Sequence, residues 1–448
     1  MALAAFKPAP IFKGGLISPE SLKNYSHLHD DNARLHDWRM RALNTLNHTA
    51  APAKNDEIWR RVDLSRFKLE EVLQHASART VAPVGASQWG VHATAGSAPG
   101  WIFHSNGTCI AQRISPELAR KGVVYSSIES AFHEYPELMQ RHFMTNAVKP
   151  TDTYMAAMHA TMVRGGVVLY VPAGVTIDTP LRAATWLGAD QPGGFHHTLV
   201  VLEKGAKATL IEEFASGMNE EAGAQAMINS SVELLVGDGA HLDYVSIQDY
   251  GRHTYNFSTE RAKLGEHSTL HWVIGGIGSK FTKSAIEADM NGSDSKALMS
   301  GVYFADSKQQ MHYDTQQNHI AGGCVSDLLY KSALRDEART VWRGNIRVFP
   351  GAQKTDSYQA NRNLQLSDKS RADSIPGLEI EADDVRCTHG ATVGQIESEP
   401  MFYLESRGIP EIDARRLIVE GFFAPVIERI PLEETQERLR AEIGKKIG

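Results

Sequence analysis

Cys387 and His389 stand two residues apart in LEIEADDVRCTHGATVGQIESEPMFYLESRGI, the stretch from Leu378 to Ile409. Val385, Val393 and Ile396 around them favour extended backbone, and at a period of two both side chains leave the same face of a strand. A thiol beside an imidazole is the beginning of a soft-metal or sulfur-handling site. Most free cysteines are simply small buried hydrophobes; the neighbouring imidazole sets this one apart. Arg386 favours the thiolate, and the acidic pair Asp383–Asp384 opposes it. Two donors do not fill a four-coordinate site. The others must come from elsewhere in the fold, from a partner chain or from an exogenous group.

Other chemistry-bearing residues are less suggestive. His267 and His271 are four apart and share a face, but no carboxylate stands at ligand spacing, so they read as surface or core residues. His196 and His197 point opposite ways in a strand and cannot chelate together. H-E-Y-P-E at His133 lacks the second histidine of a zinc protease, and Pro136 breaks the helix that motif needs. Cys324, after Gly322–Gly323, belongs at a corner; Trp342 packs a rung; Arg407–Gly408 is a turn. No G-x-x-x-x-G-K-[ST] loop and no G-x-G-x-x-G after a strand occurs, so no nucleotide is expected on this chain.

Composition narrows the class. The chain has 448 residues, 42% hydrophobic and 22% charged, as in soluble globular proteins. A net charge of −7 with scattered basic residues argues against nucleic acid. No apolar run approaches the ~20 residues that span a bilayer, and the first residues lack a secretory pattern. Three cysteines do not make a disulfide framework. The expectation is a cytoplasmic, reducing setting and no membrane partner.

Three regions can position the pair. Residues 1–150 read as helical and mixed, opening with Ser18-Pro19-Glu20, a capping residue followed by proline at the first helical position; that helical run ends near Asn47. Residues 151–398 carry short β-rich runs (VVLYVPAG, HTLVVLEKG, SVELLVGDG, HLDYVSIQD, STLHWVIGG, KALMSGVYF, VWRGNIRVF) separated by glycine corners. Three successive corners lie roughly 26 residues apart, in the range of stacked-rung solenoids. Crossover helices are missing, which disfavours a doubly wound sheet and leaves a parallel β-helix or a β-sandwich. Residues 399–448 form a helical domain. Its first helix carries Ile412, Leu417, Ile418, Phe422 and Val426 near helical spacing, with Pro425 expected to kink or interrupt it. Its second turns Leu432, Leu439 and Ile443 inward. Helices at both ends of an open solenoid are expected to cap it.

LEIEADDVRCTHGATVG and MFYLESRGI, with the upstream VWRGNIRVFPGAQKTDSYQANRNLQLS, resemble the SufB/SufD family of iron–sulfur cluster assembly proteins. The similarity is weaker over the first 120 residues or so, where NDEIWRRVDL carries it. Within the family the pattern is nearer the SufD type, since HGATVG suits it and the cysteine-rich N-terminal motif of many SufB chains is missing. The resemblance implies a mainly β fold, a right-handed parallel β-helix with helical parts at either end. It also implies a non-enzymatic scaffold that pairs with a SufB-like subunit through the β-helix. The C-terminal helices, between about Pro410 and Lys446, would dock a SufC-like ABC ATPase, which supplies the hydrolysis. Cys387 and His389 would then be half of a metal site at the subunit interface, holding iron or a transient Fe-S cluster. Alone, the chain is open to homodimer formation. Competing readings are a SufB-like scaffold that builds the cluster itself, a Cys-His hydrolase, and a β-helical polysaccharide-active enzyme. Three cysteines disfavour the first, the hydrolase lacks an orienting third group, and Asp383 and Asp384 on opposite strand faces disfavour the last.

Overall fold

The computed structural model describes residues 11–12, 15–78, 98–219, 221 and 223–447. Ser18 opens α1 (Pro19–Leu28), its hydroxyl accepting from the Ser21 amide at 3.0 Å. The helical run expected to continue to Asn47 breaks at residues 29–32, where Asp30 takes φ 52° and Asn32 caps a second helix, α2 (Ala33–His48). An N-cap can satisfy the orphan amides of a new first turn, so the break is tolerated. Helix α3 is Leu69–Ala78.

Two ten-stranded sheets face each other. The first runs β2 (Thr108–Ile114), β1 (Gly100–Ser105), β5 (Leu181–Leu187), β8 (Lys207–Ser216), β10 (His241–Asp249), β12 (Thr269–Gly276), β14 (Lys296–Ala305), β16 (Val325–Leu334), β18 (Asp356–Gln365) and β20 (Arg386–Gln395). The second runs β19 (Arg371–Ile380), β17 (Arg339–Val348), β15 (Gln310–His319), β13 (Phe281–Met290), β11 (Thr254–Leu264), β9 (Ala226–Val236), β7 (His197–Leu202), β4 (Gly166–Val171) and β3 (Val124–Ser127), with the short β6 (Gly193–Gly194) on β9. From β8 to β20 consecutive strands alternate between the sheets, and those up to β18 pair in parallel with the strand two places on. This is a parallel β-helix of about 8 turns, each rung advancing roughly thirty residues, as in Lys296↔Val325↔Asp356↔Arg386.

The period of two sets what lies inside. Leu242, Tyr244, Leu270, Trp272, Ala297, Met299 and Leu328 stack inward and are buried. Trp342 and Cys324 join the same core, Cys324 immediately after the Gly322–Gly323 corner. Gly239 turns its corner with φ 65°. At the Gly292 corner a Cβ would stand 2.0 Å from the Glu266 nitrogen, so the two rungs meet there through bare backbone.

The ends differ. At the first end β2 runs antiparallel to β1 and β3 antiparallel to β4, and Leu118, on α4 (Pro116–Arg120), enters the core with Val123 and Tyr125. Helices α5 (Ile128–Glu134) and α6 (Pro136–His142) follow, with Pro136 starting the second rather than continuing the first. Helix α7 (Tyr154–Met162) is buried along its whole length, packed on α2 and on the outer face of the second sheet. His159 anchors it: Nδ1 lies 2.8 Å from the Asn229 carbonyl and Nε2 3.0 Å from His197. Burial drives both imidazoles down to about 3, so both are neutral at physiological pH.

The C-terminal helices do not cap the second end. They are α8 (Ser398–Ser406), α9 (Glu411–Ile427) and α10 (Glu433–Ile447). The last two lie along the outer face of the first sheet, where Val419, Phe423, Val426, Ile427, Leu439 and Ile443 cover Ile211, Val245, Val273 and Val302. The buried stripe of α9 therefore differs from the expected one: Ile412 and Leu417 are about half exposed. The helix also continues through Pro425. Burying four large side chains at roughly 2 kcal/mol each outweighs the ~3 kcal/mol that a proline costs in a helix interior. No helix among the described residues is long and apolar enough to cross a membrane.

The lumen also contains polar groups. Glu212 accepts from Tyr244 Oη and from Thr198 Oγ1 across the interior, both at 2.7 Å. Burial raises its carboxyl to about 7 against the pull of those hydrogen bonds. A carboxyl raised on folding favours the native state at low pH, and that advantage is lost as pH climbs from about 4.5 through about 7. Glu212→Gln removes the loss. The melting temperature of the variant minus that of the wild type should rise by a few degrees between pH 5 and pH 8. A difference independent of pH would refute the burial argument.

Candidate functional site

Strand β20 is the last of the first sheet, and β19 the last of the second, so the final rung of the solenoid is open. Cys387 aligns with Ser357 and His389 with Gln359, both fully buried inward-facing residues of β18. The pair therefore shares one face, as the spacing predicts, and that face looks into the mouth of the lumen. Cys387 is half-buried against Ile346, Val348 and Ala352, and His389 is exposed.

The floor of this mouth is a layer of neutral amides and hydroxyls. Gln359 Nε2 donates to the Gly377 carbonyl at 2.9 Å, tying β18 to β19 behind His389. Asn363 Nδ2 donates to Asn361 Oδ1 (2.6 Å), Ser374 Oγ (3.0 Å) and the Thr392 carbonyl (3.1 Å), so one side chain pins both terminal strands. Gln359 Oε1 accepts no hydrogen bond and stands one rung behind the imidazole. The donors at the mouth are thus held by strands fixed from below, while the space above them is bounded by no further strand of the described residues.

Electrostatics differ from the sequence expectation. Arg386 lies on the opposite face of β20 and is exposed. Asp383 and Asp384 precede the strand instead of sitting in it, and Asp384 is paired with Lys354. The acidic group that acts on Cys387 is Asp356, on the neighbouring rung. Partial burial first, and then this carboxylate, push the thiol above its ordinary value. The sulfur is thus a protonated thiol at neutral pH, and a cation brought to the mouth is what would ionise it.

The other histidine pairs of the sequence do not come together. His267 sits at a corner, 3.6 Å from Asp294, and does not meet His271. His196 faces His104 while His197 joins His159, as the opposite directions predict. Arg407 ends α8 and Gly408 follows at φ 83°, the expected turn. Beside this turn Phe402 is 73% exposed, with Tyr403, Ile412 and Leu417 close to it in sequence and also exposed. Sequence periodicity assigned Ile412 and Leu417 to the buried side, so this apolar surface escaped it. Monomer surfaces rarely carry such side chains together without a binding role.

Comparison with known proteins matches two family models. Residues 185–422 match the "SUF system FeS cluster assembly, SufBD core domain", and residues 23–183 match the "SufBD protein N-terminal region". The chain is 31% identical over 335 residues to the iron-sulfur cluster assembly protein SufD of Bacillus subtilis, covering 75% of this chain and 76% of that one. It is 28% identical over 335 residues to SufB of the same organism, covering 74% and 71%. A SufBD family protein of Staphylococcus saprophyticus is 30% identical over the same length, again covering 74% and 71%.

The Asp356 effect can be measured. Cys324 is fully buried, and burial holds Cys109 at about 11, so alkylation at pH 8 reports chiefly on Cys387. Replacing Asp356 with Asn should speed iodoacetamide labelling of Cys387, mapped by mass spectrometry, by about twofold or more. Equal rates in the two proteins would remove Asp356 from the account.

Proposed function

Because the chain belongs to the SufB/SufD family of iron–sulfur cluster assembly proteins, we propose that it is a SufD-type scaffold subunit whose open rung is completed by a SufB-type partner. The observation that carries this reading is the unpaired edge of β19 and β20 with Cys387 and His389 in the mouth between them. A ten-residue strand with free amides and carbonyls is a template for another strand. Ile380 and Val393, each more than two-fifths exposed, add apolar surface at the same end. A partner seated there would bury both and bring its own donors to the thiol and the imidazole.

Divided ligands suit a cargo that has to leave. Iron or a nascent cluster held by two chains loosens when the chains part slightly, whereas ligands from one rigid rung would retain it. The raised thiol fits the same scheme, since the empty half-site does not hold a reactive thiolate. The movement would come from a SufC-type ATPase. Its docking surface on this reading is the exposed set Phe402, Tyr403, Ile412 and Leu417, held out by α8 and α9 while the opposite side of α9 grips the solenoid. The chain acts as a non-catalytic element, and a second copy is the natural substitute partner at the open edge when it is alone.

Two experiments test separate parts. Cys387→Ala/His389→Ala, co-expressed with SufB- and SufC-type subunits, should copurify with them and lower cluster yield at least about tenfold, read from iron and sulfide content. Undiminished clusters in the double variant would reject the half-site. Ile380→Asp/Val393→Asp should keep the wild-type far-ultraviolet circular dichroism and fail to pair in size-exclusion chromatography with light scattering. Pairing at wild-type strength would reject the open rung as the interface.

A further inference from the structure

A second group of donors lies on the outer face of the first sheet, away from the open end. We propose that His241, Asp243 and His271 bind a first-row divalent transition ion, with coordination positions left open to solvent. His241 and Asp243 are two apart on β10, and Asp243 is directly paired with His271 on β12. The intervening Leu242, Tyr244, Leu270 and Trp272 point inward and are buried, so the three donors stand on strands fixed by the core.

The donor atoms converge on one another. Asp243 Oδ1 is 2.8 Å from His271 Nδ1 and 3.2 Å from His241 Nε2. The two rings meet edge to face with centroids 5.0 Å apart. All three ligand atoms lie within 4.8 Å of one another. Metal–ligand distances of about 2.0–2.2 Å need donors roughly 3–3.5 Å apart, so modest side-chain rotation closes the set. Thr209 Oγ1, on β8, donates to Asp243 Oδ2 at 3.3 Å and orients the carboxylate from the far side, as outer partners of metal ligands do. The two imidazoles donate to one carboxylate oxygen, in the space an ion would take.

Two nitrogens and one oxygen select the class of ion. Imidazole disfavours calcium and magnesium, and the lack of thiolate disfavours copper(I), leaving Fe2+, Co2+, Ni2+, Cu2+ and Zn2+. Partial exposure of all three residues allows entry and leaves room for water or an external ligand. Lys207 and Lys296 share this face, on rungs aligned with His241 and Thr269, and their charge weakens the site, making the ion exchangeable. Sequence spacing could not find this trio, because Asp243 and His241 come from the rung before His271.

The test uses the full chain with Cys387→Ala/His389→Ala as background, so that the open end contributes no donors. Co2+ followed by its visible absorption, and Zn2+ by calorimetry at pH 7.5, should give one equivalent. His241→Ala, His271→Ala and Asp243→Asn should each raise Kd at least about tenfold, with melting temperatures close to the background protein in the absence of metal. Affinity should fall as pH drops through the histidine range, since protons compete for the same nitrogens. Absence of binding by the background protein, or equal binding after loss of both histidines, would overturn the assignment and leave the trio a hydrogen-bonded clasp between rungs. Neither result bears on the scaffold role, which rests on the open rung at β19 and β20.

Discussion

Parallel stacking of rung on rung is the interaction on which the molecule depends. Each strand from β8 to β18 satisfies its backbone by pairing with the strands one rung before and one rung after. The same register aligns side chains in rows, so a residue's position along its strand decides whether it faces the core, the covering helices or solvent. The rule fixes Leu242, Leu270, Ala297 and Ser326 in one inner row and extends it, through Ser357, to Cys387. Cys387 is accessible because the row ends there, although its strand position is a core position.

How much of this could be read beforehand follows from which periods are local. The shared face of Cys387 and His389, the glycine corners and the cap at Ser18 depend on neighbours a few residues away, and all are legible. The direction of that shared face is not, because a period of two gives two faces without saying which is inside. The stripe on α9 misled for a similar reason: Ile412 and Leu417 fit helical spacing, but the sheet beneath selects Val419, Phe423 and Val426. Contacts between rungs were the least accessible. Asp356 beside Cys387, and Asp243 beside His271, are about thirty residues apart in sequence, and unequal loops hide the alignment.

The distribution of polarity follows the same logic. Glu212 and the histidines around α7 are deep inside, are held near neutrality by burial, and bond to fixed partners. Near the mouth the lining changes to amides and hydroxyls that carry no charge. The interior thus spends its hydrogen bonds on fixing the terminal strands and leaves the charge balance at the open rung to whatever arrives.

The unlike ends of the solenoid limit what it can build. A stack with two bare faces would add copies head to tail without limit and grow into fibrils. Here short antiparallel strands and Leu118 finish one face, which breaks the parallel rung pattern that a further copy would have to continue. On the scaffold reading proposed above, an assembly would hold two β-helices, mouth to mouth, rather than a polymer.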